Sequence, residues 1–244
     1  MSPARTFATA RRVLTQLRHD KRTLLLALLV PSLLLILLRL VFYDNLIQFS
    51  AITPMMLGIF PLVMMFLITS ISTLRERTSG TLDRLLTQPI SKLDFMFGYA
   101  LAFTVLGAIQ AGLACLVSFT LLDINVAGGY LPVIVIAIAA AFLGTTLGLL
   151  VSAFATSEFQ AVQLVMPIMI PQILTCGLFS PREHMAPFLQ FFAGIMPLSY
   201  SVDAMKQATQ SITWSNTLTL DIVIVLAFGI AALVLGAVTI QRQE

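Results

Sequence analysis

Charge is what this chain has least of. Of its 244 residues only 10% are Asp, Glu, Lys or Arg, against 58% with apolar side chains. A water-soluble domain carries roughly a quarter of its residues as charges, so a soluble globular fold is excluded. Cysteine is nearly missing too. Cys115 and Cys176 each stand alone inside an apolar run. That excludes a disulfide framework and reads as two small hydrophobes. Histidine occurs twice, as His19 and His184; the stretch REHMA around His184 lacks the second His of a zinc-protease motif. No metal site and no catalytic set is expected. A basic balance, net +3 with a pI near 9.1, raises the question of nucleic acid. The basic residues, however, cluster at the ends of apolar runs, where they act as membrane orientation signals, so no nucleic-acid partner is expected.

Long apolar runs are what the chain does have. A bilayer core of about 30 Å needs about 20 apolar residues in a helix, and the mean hydropathy of +0.96 fits a polytopic membrane protein. The fold class predicted is all-α, one transmembrane domain over residues 1–244. Residues 1–22 form an interfacial helix: Phe7, Ala10, Leu14 and Leu17 recur at helical spacing, with Arg11, Arg12 and Arg18 mostly elsewhere. The first apolar run is too long for a cleavable signal peptide and reads as a retained anchor. Spans one and two occupy residues 23–74, about Thr23–Phe42 and Ala51–Leu74. Spans three to five occupy 92–179, about Lys92–Leu122, Leu131–Phe154 and Phe159–Phe179. Span six and a tail fill 217–244. Arg39 is placed to snorkel or to meet Asp44. Gly144 and Gly148 form a small-xxx-small pattern that permits close helix approach. Thr156-Ser157-Glu158 reads as a tight turn with capping residues.

Residues 180–216 are too apolar for a free outer loop. Ser180-Pro181-Arg182-Glu183 looks like a helix start, and PFLQFFAGIM and LSYSVDAMKQA follow, separated by Pro197. Two short helices dipping into the membrane and returning are expected, with Asp203 and Lys206 able to pair at i, i+3. Arg5, Arg11, Arg12, Arg18, Lys21, Arg22, Arg75, Arg77, Arg84, Lys92 and Arg242 fall on one side of a six-span layout, and only Arg39, Arg182 and Lys206 on the other. Both termini and residues 75–95, including the 75–91 loop, are therefore expected in the cytoplasm, the chain lying in the cell membrane.

The segment LRERTSGTLDRLLTQPISKLDF interrupts the apolar runs. Leu82, Leu85 and Leu86 form one stripe, with Asp83 and Arg84 off it. Gly80 breaks the chain before it, Thr81 is placed to cap it, and Pro89 limits its end. Ser91-Lys92-Leu93-Asp94 matches a capping box for span three. A short helix held along the membrane surface suits either docking to a soluble partner or resting on headgroups.

The stretch ERTSGTLDRLLTQPISKLDFMFGYALA resembles the motif after the second span of type-2 ABC exporter permeases. It matches at Glu76, Gly80, Thr81, Leu82, Leu85, Leu86, Pro89 and Ser91. CGLFSPREHMAPFLQFFAGIMPLSYSVDAMKQ is similar to that family's re-entrant hairpin, with its turn at Pro197, Leu198, Ser199 and Tyr200. The resemblance implies a half-membrane domain that pairs with a second permease, the same chain or a related one. Two cytoplasmic ATPases would dock on a coupling helix through Glu76, Arg77, Gly80, Thr81, Leu82, Asp83, Arg84, Leu85, Leu86 and Pro89. ATP and Mg²⁺ would belong to those partners, because Gly144 to Gly148 is followed by Leu149 and Leu150 and not by the Lys-Ser/Thr of a P-loop. The chain itself would be no enzyme.

Along the transport path Gln110, Gln163, Gln172, Phe188, Phe192 and Tyr200 are substrate candidates. Helix-to-helix hydrogen bonding remains open for the glutamines, Gln160 among them. Few charges in the spans favour a hydrophobic or amphipathic cargo, drug or lipid-like. One Trp and four Tyr speak against a sugar polymer. The alternative is an independent secondary transporter or channel, which usually places acids near the midplane; here the acids lie at span ends and in loops.

Overall fold

The structure, a computed structural model, describes residues 2–79, 91–124 and 126–239. Every element in the described residues is helical. The helices are α1 (Pro3–His19), α2 (Lys21–Val41), α3 (Leu46–Thr78), α4 (Lys92–Thr120), α5 (Tyr130–Ser152), α6 (Glu158–Thr175), α7 (Pro187–Ile195), α8 (Pro197–Gln210) and α9 (Asn216–Thr239). The expected coupling helix, with Gly80, Thr81, Leu82, Asp83, Arg84, Leu85, Leu86 and Pro89, lies outside the described residues, as does the C-terminal tail from residue 240.

Five helices, α2, α3, α4, α5 and α9, are long and apolar enough to cross a membrane. The sixth expected span, α6, has 18 residues and carries Gln160, Gln163 and Gln172 besides Pro167 and Pro171, which lower its hydropathy. At 1.5 Å per residue the 33 residues of α3 extend about 50 Å, well beyond a bilayer core. The helix is thus longer than the apolar layer is thick, and its charged last turn, Arg75–Thr78, is the end suited to project past it.

The centre of the bundle is α3 against α5. A Cβ on Gly144 would lie 2.0 Å from the Leu62 carbonyl oxygen, and one on Gly148 2.6 Å from that of Phe66, so the expected small-xxx-small contact is this crossing. α4 and α9 flank α5, α2 leans on α3 and α4, and α6 on α3. The apolar core follows: Leu62, Met65 and Phe66 of α3, Ala140, Ala141 and Leu143 of α5, and Ala102 of α4 are fully buried.

One local expectation is refined and another corrected. In α1 the residues buried against the protein are Thr6, Thr9, Ala10, Val13 and Leu17, whereas Phe7 is 66% exposed and Leu14 only partly covered. The helix has two apolar neighbours, the protein and the membrane, and periodicity alone merges them. Ser180-Pro181 starts no α-helix: a single 3-10 turn spans Arg182–His184. Ala186 before Pro187 is held extended by the proline ring, so α7 begins only with Pro187 at its first position. Two short helices, α7 and α8, precede α9.

Candidate functional site

α3 and α4 are joined through residues 80–90, and the end of the bundle where they meet is densely cross-linked by polar contacts. Three successive residues at the end of α3 each hold a different helix. Glu76 Oε2 accepts from Arg12 Nη2 at 3.1 Å; the same nitrogen donates to the Tyr99 hydroxyl at 2.5 Å, and the guanidinium lies 5.8 Å from the Tyr99 ring centroid. That joins α1, α3 and α4. Arg75 grips Glu158 with two parallel bonds, Nε to Oε1 at 2.7 Å and Nη2 to Oε2 at 3.0 Å, tying α3 to the start of α6. Arg77 donates to the Ser152 carbonyl and, at 3.5 Å, to that of Ala155. The Ser152 carbonyl is the last of α5, at its unsatisfied, partly negative end, and Ala155 lies three residues beyond it.

The expected capping box is present. Ser91 Oγ accepts from Asp94 N at 3.0 Å, and Asp94 Oδ2 accepts from Ser91 N at 3.3 Å. Asp94 Oδ1 serves a second helix, accepting from Ser2 N at 2.8 Å and Thr6 Oγ1 at 3.5 Å, so one carboxylate caps both α4 and α1. Asp20 closes α1 and opens α2, accepting from Thr23 Oγ1 at 2.6 Å and Thr23 N at 3.2 Å. The Thr23 hydroxyl, then its amide, hold that carboxyl below the usual range. At the α5–α6 turn Ser157 accepts from Gln160 N at 3.2 Å and Gln160 Oε1 from Thr156 N at 2.8 Å, so Gln160 is a capping residue.

At the opposite end α8 is pinned to the chain that leaves α6. Arg182 pairs with Asp203 and donates to the Ser199 carbonyl at 3.3 Å. Lys206 donates to the Gly177 carbonyl at 3.1 Å; Gly177 has φ +88°, where glycine is favoured. Asp203 and Lys206 thus take separate partners and do not pair. Burial, and then Arg182 nearby, push the Lys206 ammonium below its ordinary pKa. Arg39 likewise donates to the Tyr43 carbonyl at 3.3 Å and lies over the Tyr43 and Phe49 rings, with no ion pair to Asp44 among the described residues.

The substrate candidates do not form one cluster. Gln172 is buried and structural: Nε2 donates to the Ile168 carbonyl at 3.0 Å and Oε1 accepts from Leu198 N at 3.4 Å. Tyr200 donates to the Gly194 carbonyl at 2.6 Å, and Phe188 and Phe192 stack at 6.4 Å between centroids. These four lie at the α6–α7–α8 end. Gln163 is exposed in the other half of α6. Gln110 is buried on α4, with neither amide atom partnered among the described residues. Among the described residues it shares that state with the buried hydroxyls of Thr69, Ser70 and Thr73 on α3, Thr104 and Ser118 on α4 and Thr145 on α5. The clamp residues Arg12, Arg75, Tyr99 and Glu158 escaped sequence reading as site residues. The signal for Arg75 with Glu158 was present, since both flank spans on the same expected side.

Residues 5–209 match the family model described as ABC-2 type transporter. The chain is 28% identical over 174 residues to the probable multidrug ABC transporter permease YbhR of Escherichia coli, covering 68% of this chain and 46% of that one. It is 29% identical over 148 residues to the linearmycin resistance permease protein LnrN of Bacillus subtilis, covering 59% and 38%. With ABC transporter G family member 20 of Dictyostelium discoideum it shares 27% over 139 residues, 57% and 19% of the two chains. The matched stretches thus span less than half the length of each of these three relatives.

Proposed function

This chain belongs to the ABC-2 type transporter family, and from that premise we propose that it is the membrane-spanning permease of an ATP-driven exporter. The energy would come from a separate cytoplasmic ATPase, two per complex, holding ATP and Mg²⁺. Gly144 and Gly148, the glycines nearest to a phosphate-loop spacing, are spent on backbone contact with α3 and leave no cradle for phosphate. Docking is assigned to residues 76–89. A second permease, the same chain or a relative, would complete the path, and the exposed apolar face of α2 at Leu26, Leu33 and Leu37 offers it surface. On this reading α6 crosses as the sixth span, both termini face the cytoplasm, and the membrane is the cell membrane. The cargo is taken as hydrophobic or amphipathic, which suits the multidrug and antibiotic-resistance names of two relatives.

The observation that carries this reading is the triple clamp at Arg75, Glu76 and Arg77. A partner that displaces residues 80–90 moves the projecting end of α3, and through it α1, α4, α5 and α6 together. A rigid lever of this kind transmits a stroke that a loose loop would absorb. The test is co-expression with the ATPase subunit and affinity purification of the complex. Leu85→Asp with Leu86→Asp should abolish co-purification while the permease keeps its detergent unfolding temperature. A complex that survives both changes places the docking surface elsewhere.

A further inference from the structure

Three of the four arginines of α1, Arg11, Arg12 and Arg18, do not share a fate. Arg12 turns inward to Glu76 and Tyr99, whereas Arg11 and Arg18 are exposed, and neither guanidinium has a hydrogen-bond or ion-pair partner among the described residues. Both stand at the rim of a cleft of about 450 Å³ between α1 and α4. Its walls include Phe7 and Leu14, the side chains that α1 does not bury, and its floor is Leu101 and Val105. Seven residues separate the two arginines, two helical turns or about 10 Å along the axis. One phosphate between them lies within reach of both long side chains.

The floor does not stop at the cleft. Leu101, Val105 and Ile109 are 37, 38 and 55% exposed and recur every fourth residue, forming one apolar track along α4 into the membrane layer. From Leu101 to Ile109 the track covers about 12 Å, close to half of a bilayer core of about 30 Å. Cations beside one end of an apolar trough one leaflet deep match the shape and charge of a phospholipid. We propose that this cleft binds an anionic phospholipid, its phosphate between Arg11 and Arg18 and an acyl chain along Leu101, Val105 and Ile109. A second copy of the chain seated here would bury two arginines without partners, and a soluble protein has no use for a track that runs into the bilayer. The inference rests on α1 lying at the membrane surface, and it needs no transport, so its outcome is separable from that of the exporter reading.

The test is native mass spectrometry of the full chain, released from nanodiscs of phosphatidylcholine and phosphatidylglycerol, counting retained lipids. Wild type should retain one phosphatidylglycerol per chain in preference to phosphatidylcholine. Each interfacial basic residue contributes on the order of fivefold in affinity, so Arg11→Gln with Arg18→Gln should weaken retention at least about tenfold. Val105→Trp, which fills the trough at constant charge, should also displace the lipid. Lys21→Gln with Arg22→Gln removes the same charge from the neighbouring helix and should leave retention unchanged. Equal losses from the two charge pairs, no effect of Val105→Trp, or cross-linking of Arg11→Cys to a second copy would each overturn the site.

Discussion

A methyl group at position 144 has nowhere to go, because it would sit 2.0 Å from the Leu62 carbonyl oxygen on a facing backbone. At Gly112, on α4, the same methyl meets open space. The pair makes a controlled prediction. Gly144→Ala should cost about 1–3 kcal/mol through forced separation of α3 and α5, while Gly112→Ala should be neutral or stabilise by up to about 1 kcal/mol. Thermal unfolding in detergent reads both, and equal effects would mean that the crossing gives way easily. Spacing revealed Gly144 and Gly148 because close approach needs small residues one turn apart, a purely local property. The same logic misled at Asp203 and Lys206. Their i, i+3 spacing suggested a pair, but Arg182, twenty-one residues upstream of Asp203, folds back onto α8 and takes the carboxylate. Local spacing carries no information about a competitor that arrives through the fold.

Apolar runs gave the helices to within a few residues because membrane burial acts on whole segments. Which element grips which was far less legible. Glu76 and Arg77 were read as part of a docking surface, and the structure adds inward partners to both: Arg12 for Glu76 and the end of α5 for Arg77. The two ion pairs at the end of α3 differ in setting. Arg12 and Glu76 are 30 and 16% exposed, against 55 and 51% for Arg75 and Glu158. Solvent screens the second, so its coupling should be about 0.2–1 kcal/mol. The first is more enclosed and shares its arginine with Tyr99, for which a charged hydrogen bond of about 1.5–3 kcal/mol is the better guide. Double-mutant cycles of Arg12→Ala with Glu76→Ala and of Arg75→Ala with Glu158→Ala, read by unfolding in detergent, should therefore rank α1–α3 above α3–α6. A reversed order would make α6, not α1, the first element to follow α3.

Whether the molecule has its two ends on one side or on opposite sides turns on α6. Its 18 residues extend about 27 Å, marginal for a core of about 30 Å, and Glu158, three glutamines and two prolines make it less apolar than the five longer helices. The expectation of six spans came from counting apolar runs, which cannot separate a crossing helix from one that enters and returns; bounding residues can. Thr156 precedes α6 and Glu183 follows it, both exposed. In a background with Cys115 and Cys176 changed to Ala, Thr156→Cys should resist a membrane-impermeant maleimide added to intact cells and react after permeabilisation. Glu183→Cys should react in intact cells, because with an α6 that crosses it lies outside. If both positions react only after permeabilisation, α6 fails to cross and the chain has an odd number of spans. If Thr156→Cys reacts from outside, Arg75, bonded to the neighbouring Glu158, must lie outside as well. The projecting end of α3 would then be out of reach of any cytoplasmic ATPase.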